Sequence, residues 1–176
     1  MNIKDLKLVL INNNFEEFKK ALEDFDVNEK DNYGNILHYF IGGGFSNENS
    51  KKYKEIIDLL IKKGIDINEK QEKGRDKRSP LHLAVLHKKK EIFDYLIELG
   101  ADINSTDGYG NNVLMTAIER FNFGDESDRE YFISKLIKLN ADILQENNYE
   151  VNAKTMILRY NEGEGVRKFI SNSLLR

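Results

Sequence analysis

The chain has no cysteine, a single proline and no long apolar run. Without cysteine it has no disulfide framework, no thiolate metal site and no thiol nucleophile. Leu8-Val9-Leu10-Ile11 is too short for the apolar core of a signal peptide, and no stretch reaches the roughly 20 apolar residues that span a bilayer. A cytoplasmic chain without a membrane partner is expected. A phosphate loop ending in G-K-[S/T] and a G-x-S-x-G nucleophile elbow are both missing. Gly108-x-Gly110 and Gly163-x-Gly165 lack the third glycine of a dinucleotide fingerprint. Asp24-Phe25-Asp26-Val27-Asn28 opens like a calcium loop, but Glu29 stands where the loop needs glycine and Asn35 where it needs glutamate. No carboxylate falls on an apolar helix face, where burial would raise its pKa into a catalytic range. The expectation is no enzyme, no catalytic residue, no metal and no cofactor.

What is present centres on Ser79–Asn104. Ser79 followed by Pro80 is a helix start, because the hydroxyl accepts an orphan N–H and proline has none to leave unpaired. Leu81, Ala84 and Val85 lie at i, i+3 and i+4 and make one apolar face. After Lys88-Lys89-Lys90 a second apolar set follows: Ile92, Phe93, Leu96, Ile97 and Leu99. Gly100 supplies a left-handed helix end. Two helices this short cannot bury both faces alone and need neighbours of the same kind.

The neighbours recur along the chain. The exit signature is Asp26-Val27-Asn28, Asp66-Ile67-Asn68, Asp102-Ile103-Asn104 and Asp142-Ile143-Leu144, at spacings of 40, 36 and 40 residues. The start signature is Ile36-Leu37-His38, Pro80-Leu81-His82 and Val113-Leu114-Met115. On these motifs the chain resembles the ankyrin-repeat family, whose repeat of about 33 residues opens its first helix with T-P-L-H-x-A. The resemblance implies an all-α ankyrin-repeat solenoid of about five helix-turn-helix units, joined by hairpin-like turns, with atypical capping units at both ends. One domain over 1–176 is expected, with units at about 1–30 (cap), 31–68, 69–104, 105–144 and 145–176 (cap). The second and fourth units are 8 and 7 residues longer between their helices than the third, as Leu37 to Gly64 and Leu114 to Asn140 measure against Leu81 to Gly100. These insertions read as loops at Phe45–Lys52 and Asn122–Arg129. The third unit has its surplus in Gln71–Arg78, before its first helix.

The resemblance further implies that His38 and His82, in the helix-start slot, bond neighbouring loop backbone and tie units together. It also implies that the turns project as fingers beside the exposed sides of the first helices. Tyr33, Tyr109 and Tyr149 hold similar places in three turns, next to Asn or Gly, and tyrosine buries large contact area at low entropic cost. The competing reading is that each ring packs on its own turn. Positive charge is segregated in a chain of net charge −3: Lys70, Lys73, Arg75, Lys77, Arg78, Lys88, Lys89 and Lys90 gather in one span. That span is either a solvated loop or a basic finger reaching an acidic partner. The expected partner-binding residues are Tyr33, Arg75, Lys77, Arg78, His87, Tyr109, Asn111, Arg120 and Tyr149. The expected function is non-catalytic protein–protein interaction by a monomer, as a small bacterial inhibitor, immunity or adaptor protein whose partner carries an acidic patch. The alternative is anion or nucleic-acid binding through Lys70–Lys90. Nucleic acid is disfavoured, because the net charge is negative and no aromatic residue interleaves the basic run.

Overall fold

Apolar residues three and four apart generate nine α-helices among the described residues, which in the computed structural model are 1–12, 15–43, 51–72, 75–121 and 126–159. In order they are α1 (Ile3–Asn12), α2 (Phe15–Ala21), α3 (Ile36–Gly42), α4 (Tyr53–Lys62), α5 (Pro80–Leu86), α6 (Lys90–Glu98), α7 (Val113–Phe121), α8 (Glu126–Lys138) and α9 (Ala153–Arg159). No strand occurs among these residues; isolated antiparallel bridges join Asp31 to Gly34 and Thr106 to Asn112 in two of the turns. The chain divides into two bodies, Met1–Ala101 and Asp102–Arg176.

Within the N-terminal body, α1 packs on α2 and on α3, α3 on α5, α5 on α6, and α4 on α6. Its core is built from one apolar face of each helix: Leu6, Leu10, Phe18, Leu37, Phe40, Ile41, Ile56, Leu60, Phe93 and Leu96 are all fully buried. Each such side chain contributes on the order of 1.5–3 kcal/mol by leaving water, which outweighs the weak propensity of seven- to ten-residue helices. In the C-terminal body, α7 packs on α8 and on α9 around Leu114, Ala117, Phe132 and Leu136.

The second helices of the three inner repeats, α4, α6 and α8, end in one way. After α4 the Gly64 amide donates to the Ile61 carbonyl and the Ile65 amide to the Leu60 carbonyl. After α6 the same pair runs from Gly100 to Ile97 and from Ala101 to Leu96, and after α8 from Asn140 to Ile137 and from Ala141 to Leu136. This is the Schellman closure, which requires a left-handed residue; Gly100 (φ 87°) meets the requirement without strain, and Asn140 (φ 60°) stands in for glycine. The aspartate of the exit signature then folds over its own backbone. Asp26, Asp66, Asp102 and Asp142 each accept, through Oδ1, the amide two residues on, at 2.8–3.0 Å. The recurrent Asp-x-Asn is thus a turn device.

One expected loop is partly helix. The spacing predicts an insertion loop over Asn122–Arg129, yet α8 starts at Glu126, six residues before Phe132, the first of its described side chains to be buried. The acidic start Glu126-Ser127-Asp128 suits the positive end of a helix, and this extends α8 beyond its apolar face. Residues 122–125, and 44–50 of the other insertion, lie outside the described residues. So do Tyr160, Val166, Phe169, Ile170 and Leu174, the later apolar residues of the unit expected to cap the C-terminus. Of that unit Ile157 is buried and Met156 half-buried.

Candidate functional site

The turns between repeats share one chemistry. Asp31, Asp107 and Asn147 each accept, through Oδ1, the amide of the tyrosine two residues on (Tyr33, Tyr109, Tyr149), at 2.8–2.9 Å. The residue after each tyrosine is left-handed: Gly34 (φ 108°), Gly110 (φ 81°) and Glu150 (φ 58°). That conformation turns the chain back and leaves the tyrosine at the tip, where Tyr33 and Tyr149 are 68% and 67% exposed. The two rings therefore do not pack down on their own turns. Tyr109 is half-buried, and the Asn148 amide of the next turn donates to its carbonyl at 3.0 Å.

The third turn is the enlarged one. Gln71 donates its amide to the Arg78 carbonyl at 3.0 Å, as Asp107 donates to Asn111 and Asn147 to Val151. Seven residues separate the closing pair here against four in the other two, which is where the surplus was read. Lys77 is its left-handed residue (φ 43°), so Asp76 takes the position that tyrosine holds elsewhere. The Gln71 side-chain amide donates to the Tyr33 carbonyl at 2.6 Å and braces this finger against the preceding one.

Together these fingers and the first helices of the N-terminal body enclose a cleft of about 760 Å³. Lys7 of α1, Tyr39 and the end glycines Gly42 and Gly43 of α3, and Leu83 and His87 of α5 line it from the helices. Asn32, Tyr33, Gln71, Arg75, Asp76 and Arg78 line it from the fingers, and His38 also borders it. Four of the expected contact residues, Tyr33, Arg75, Arg78 and His87, thereby meet in one place. Lys77 belongs to the same finger but is not among the lining residues. The Lys7 ammonium sits 4.2 Å from the Tyr39 ring centroid, and the Tyr39 hydroxyl donates to Asp31 at 2.6 Å. Gly42 lies beside His87, where an added Cβ would meet Nε2 of the imidazole at the van der Waals distance of 3.4 Å. Lys7, Arg75 and Arg78 are positive, and Asp76 is the one acid among the described lining residues. Arg78 pairs with it at 2.8 Å through Nη1.

Behind the cleft, one network, buried at Asn35 and exposed at Lys30 and Glu72, joins two repeats. Asn35 caps α3, accepting the Leu37 and His38 amides at 3.1 and 3.3 Å, and its side-chain amide donates to Glu69 at 2.7 Å. Lys30 completes the pair with Glu69 at 2.7 Å and reaches Glu72 at 2.8 Å. Burial alone would raise the Glu69 pKa, but the Lys30 and Asn35 hydrogen bonds hold it below its ordinary value. Hydrogen bonds to Glu69 and Glu72 push the Lys30 ammonium upward.

His38 also serves its own repeat. Its Nδ1 lies 2.8 Å from Asn35 Oδ1 and takes the Asn35 amide at 3.2 Å, so the ring completes a capping box within its own repeat. Asn35 makes the bond across repeats. Burial depresses the His38 pKa against the pull of the Glu69 and Arg78 backbone groups, although Nε2 completes no hydrogen bond of good geometry. His82 and Ser79 form the same box at 2.7 Å, with Pro80 at the first helical position. Asn35 was legible as a turn residue but not as a tie. The signal was its alignment with the capping Ser79, one residue before Ile36 as Ser79 is before Pro80.

In the C-terminal body the equivalent tie runs from Asn112 to the Asp142 carbonyl at 2.7 Å. Asn111, expected to contact a partner, is engaged in stacking the turns: its Oδ1 accepts from Asn147 at 2.7 Å. Arg120 is exposed at the end of α7. Among the described residues no group of three His, Asp or Glu side chains is placed to hold a metal ion.

A family model described as ankyrin repeats (3 copies) matches residues 6–107 and, in a second placement, residues 46–147. No curated protein matches the chain.

Proposed function

The chain belongs to the ankyrin-repeat family, and from that premise we propose that it is a non-catalytic binding module whose N-terminal cleft holds an acidic segment of a partner protein. Ankyrin repeats are in general protein–protein interaction modules, so the class of function follows from the family; the partner's chemistry is our reading. One observation carries it. Lys7, Arg75 and Arg78 converge with the exposed Tyr33 ring on a cleft to which the described residues contribute a single acid. Complementary charge of this kind steers association and selects partners, while the aromatic ring supplies contact area. The module acts by docking or occlusion, as an inhibitor, immunity or adaptor protein does, in the cytoplasm and as a monomer. No described helix is long and apolar enough to cross a membrane.

The test is fluorescence anisotropy of a labelled hexaglutamate peptide at low salt. Arg75→Glu/Arg78→Glu is expected to weaken binding at least tenfold, whereas Lys20→Glu, at the exposed end of α2, changes it little. The reading fails if wild type does not bind the peptide, or if the Lys20 variant loses as much. A labelled single-stranded oligonucleotide, titrated in parallel, distinguishes the nucleic-acid alternative: binding tighter than the peptide's and falling steeply with salt would favour it.

A further inference from the structure

The third finger differs from its relatives in presenting a carboxylate where they present a ring. Asp76 precedes the left-handed Lys77 as Tyr33 precedes Gly34, and it turns onto Arg78 at 2.8 Å. The contact at 2.8 Å is made to Nη1, and the Nε–H of the same guanidinium is buried without a hydrogen-bond partner. A guanidinium binds a carboxylate best through two parallel N–H bonds, and with its Nε–H unbonded Arg78 does not hold Asp76 through the pair formed by Nε and an Nη. Asp76 and Arg78 are 42% and 31% exposed in their side chains, so the pair is weakly held and solvent reaches it.

We propose that Asp76 is a resident competitor: it occupies Arg78 in the free protein and gives way when a partner's aspartate or glutamate side chain takes the guanidinium in its place. This rests on the acidic-partner reading of the cleft and adds its specificity device. A binder must supply a carboxylate able to engage Arg78 better than one i, i+2 neighbour does. Weakly acidic surfaces, which exchange one weak contact for another, gain nothing by the swap.

The probe is again labelled hexaglutamate, titrated into the full chain at 150 mM salt, where the Debye length of about 8 Å confines charge effects to near neighbours. Asp76→Asn removes the competitor and is expected to tighten binding about two- to fivefold, the range set by an exposed ion pair. Glu72→Gln removes one negative charge from the same finger, from a side chain paired with Lys30 instead of Arg78, and is expected to change affinity by less than half as much. In an Arg78→Gln background, Asp76→Asn should lose its effect. The proposal is overturned if Glu72→Gln matches Asp76→Asn, if the gain survives without Arg78, or if Asp76→Asn weakens binding. In those cases the peptide still binds wild type and the cleft reading stands; absence of binding by every variant removes the cleft reading itself.

Discussion

Replacing Asn35 by alanine tests the inter-repeat network most directly. Asn35 is fully buried and plays two parts, capping α3 and donating to Glu69 at 2.7 Å. Losing an asparagine cap costs about 1 kcal/mol. Losing a hydrogen bond to a charged group costs about 1.5–3 kcal/mol, and here the lower end applies, because Lys30 still pairs with Glu69 at 2.7 Å. Together they predict a destabilisation of about 2.5 kcal/mol, or roughly 5–10 °C in melting temperature at this chain length. Two further variants separate the parts. Asn35→Ser keeps the cap, as Ser79 does for α5, but is too short to reach Glu69. Asn35→Asp keeps the cap and sets a second carboxylate against Glu69, which adds on the order of 1–2 kcal/mol at pH 7 even after the groups move apart. The order at pH 7 is therefore wild type, Ser, Asp, measured by urea unfolding followed by circular dichroism. Below about pH 5 the Asp variant should regain ground on the Ser variant, since one protonated carboxyl can donate to the other. Equal stability of the Ser and Asp variants at pH 7, or an alanine cost below about 1 kcal/mol, would refute the claim that this bond joins the repeats.

The wild-type protein should lose stability in two steps on acidification. His38 has a depressed pKa in the fold, so the unfolded chain takes up a proton first as pH falls below the ordinary 6.5. Glu69 is depressed below its ordinary 4.5, so its contribution, present above that pH, disappears as pH falls through the folded value. His38→Gln should flatten the upper step alone; a wild-type profile level from pH 7 to 5 would count against a buried neutral imidazole. Gly110→Ala should destabilise the C-terminal body by about 1–3 kcal/mol, because φ is 81° and an added Cβ would lie 2.9 Å from the Asn148 amide. Gly100→Ala shares the positive φ but meets nothing within 4 Å, so its cost should be visibly smaller in the same unfolding assay. Tyr33→Ala should leave the melting temperature within about 1 °C, since the ring is 68% exposed, while weakening the hexaglutamate complex; a large stability loss would mean the ring packs on its turn after all.

Local chemistry was legible in the sequence. Ser79-Pro80 announces a capped helix, Gly64, Gly100 and Asn140 announce its end, and Asp-x-Asn announces the exit turn. Each of these features is made between residues two to five apart, so residue type and spacing suffice. The surplus before α5 could be placed for the same reason, and all-α ankyrin-repeat is the fold class the chain has. The start of α8 was misread because the apolar face begins at Phe132 while the helix begins at Glu126, where the acidic run suits the helix dipole without any apolar periodicity.

Tertiary structure decided what the side chains are used for. Asn35 bonds Glu69 34 residues away, and Gln71 bonds the Tyr33 carbonyl 38 residues back. Nothing in either sequence neighbourhood signals such a partner. Stacking likewise brought Lys7, Tyr33, Arg78 and His87 to one cleft and used Asn111 for holding turns together. The sequence by itself determined the repeat, because helices, caps and turns are short-range events. Which cation meets which acid, and which tyrosine stays free, depended on the register of one repeat against the next, and that register is set by packing between residues far apart in the chain.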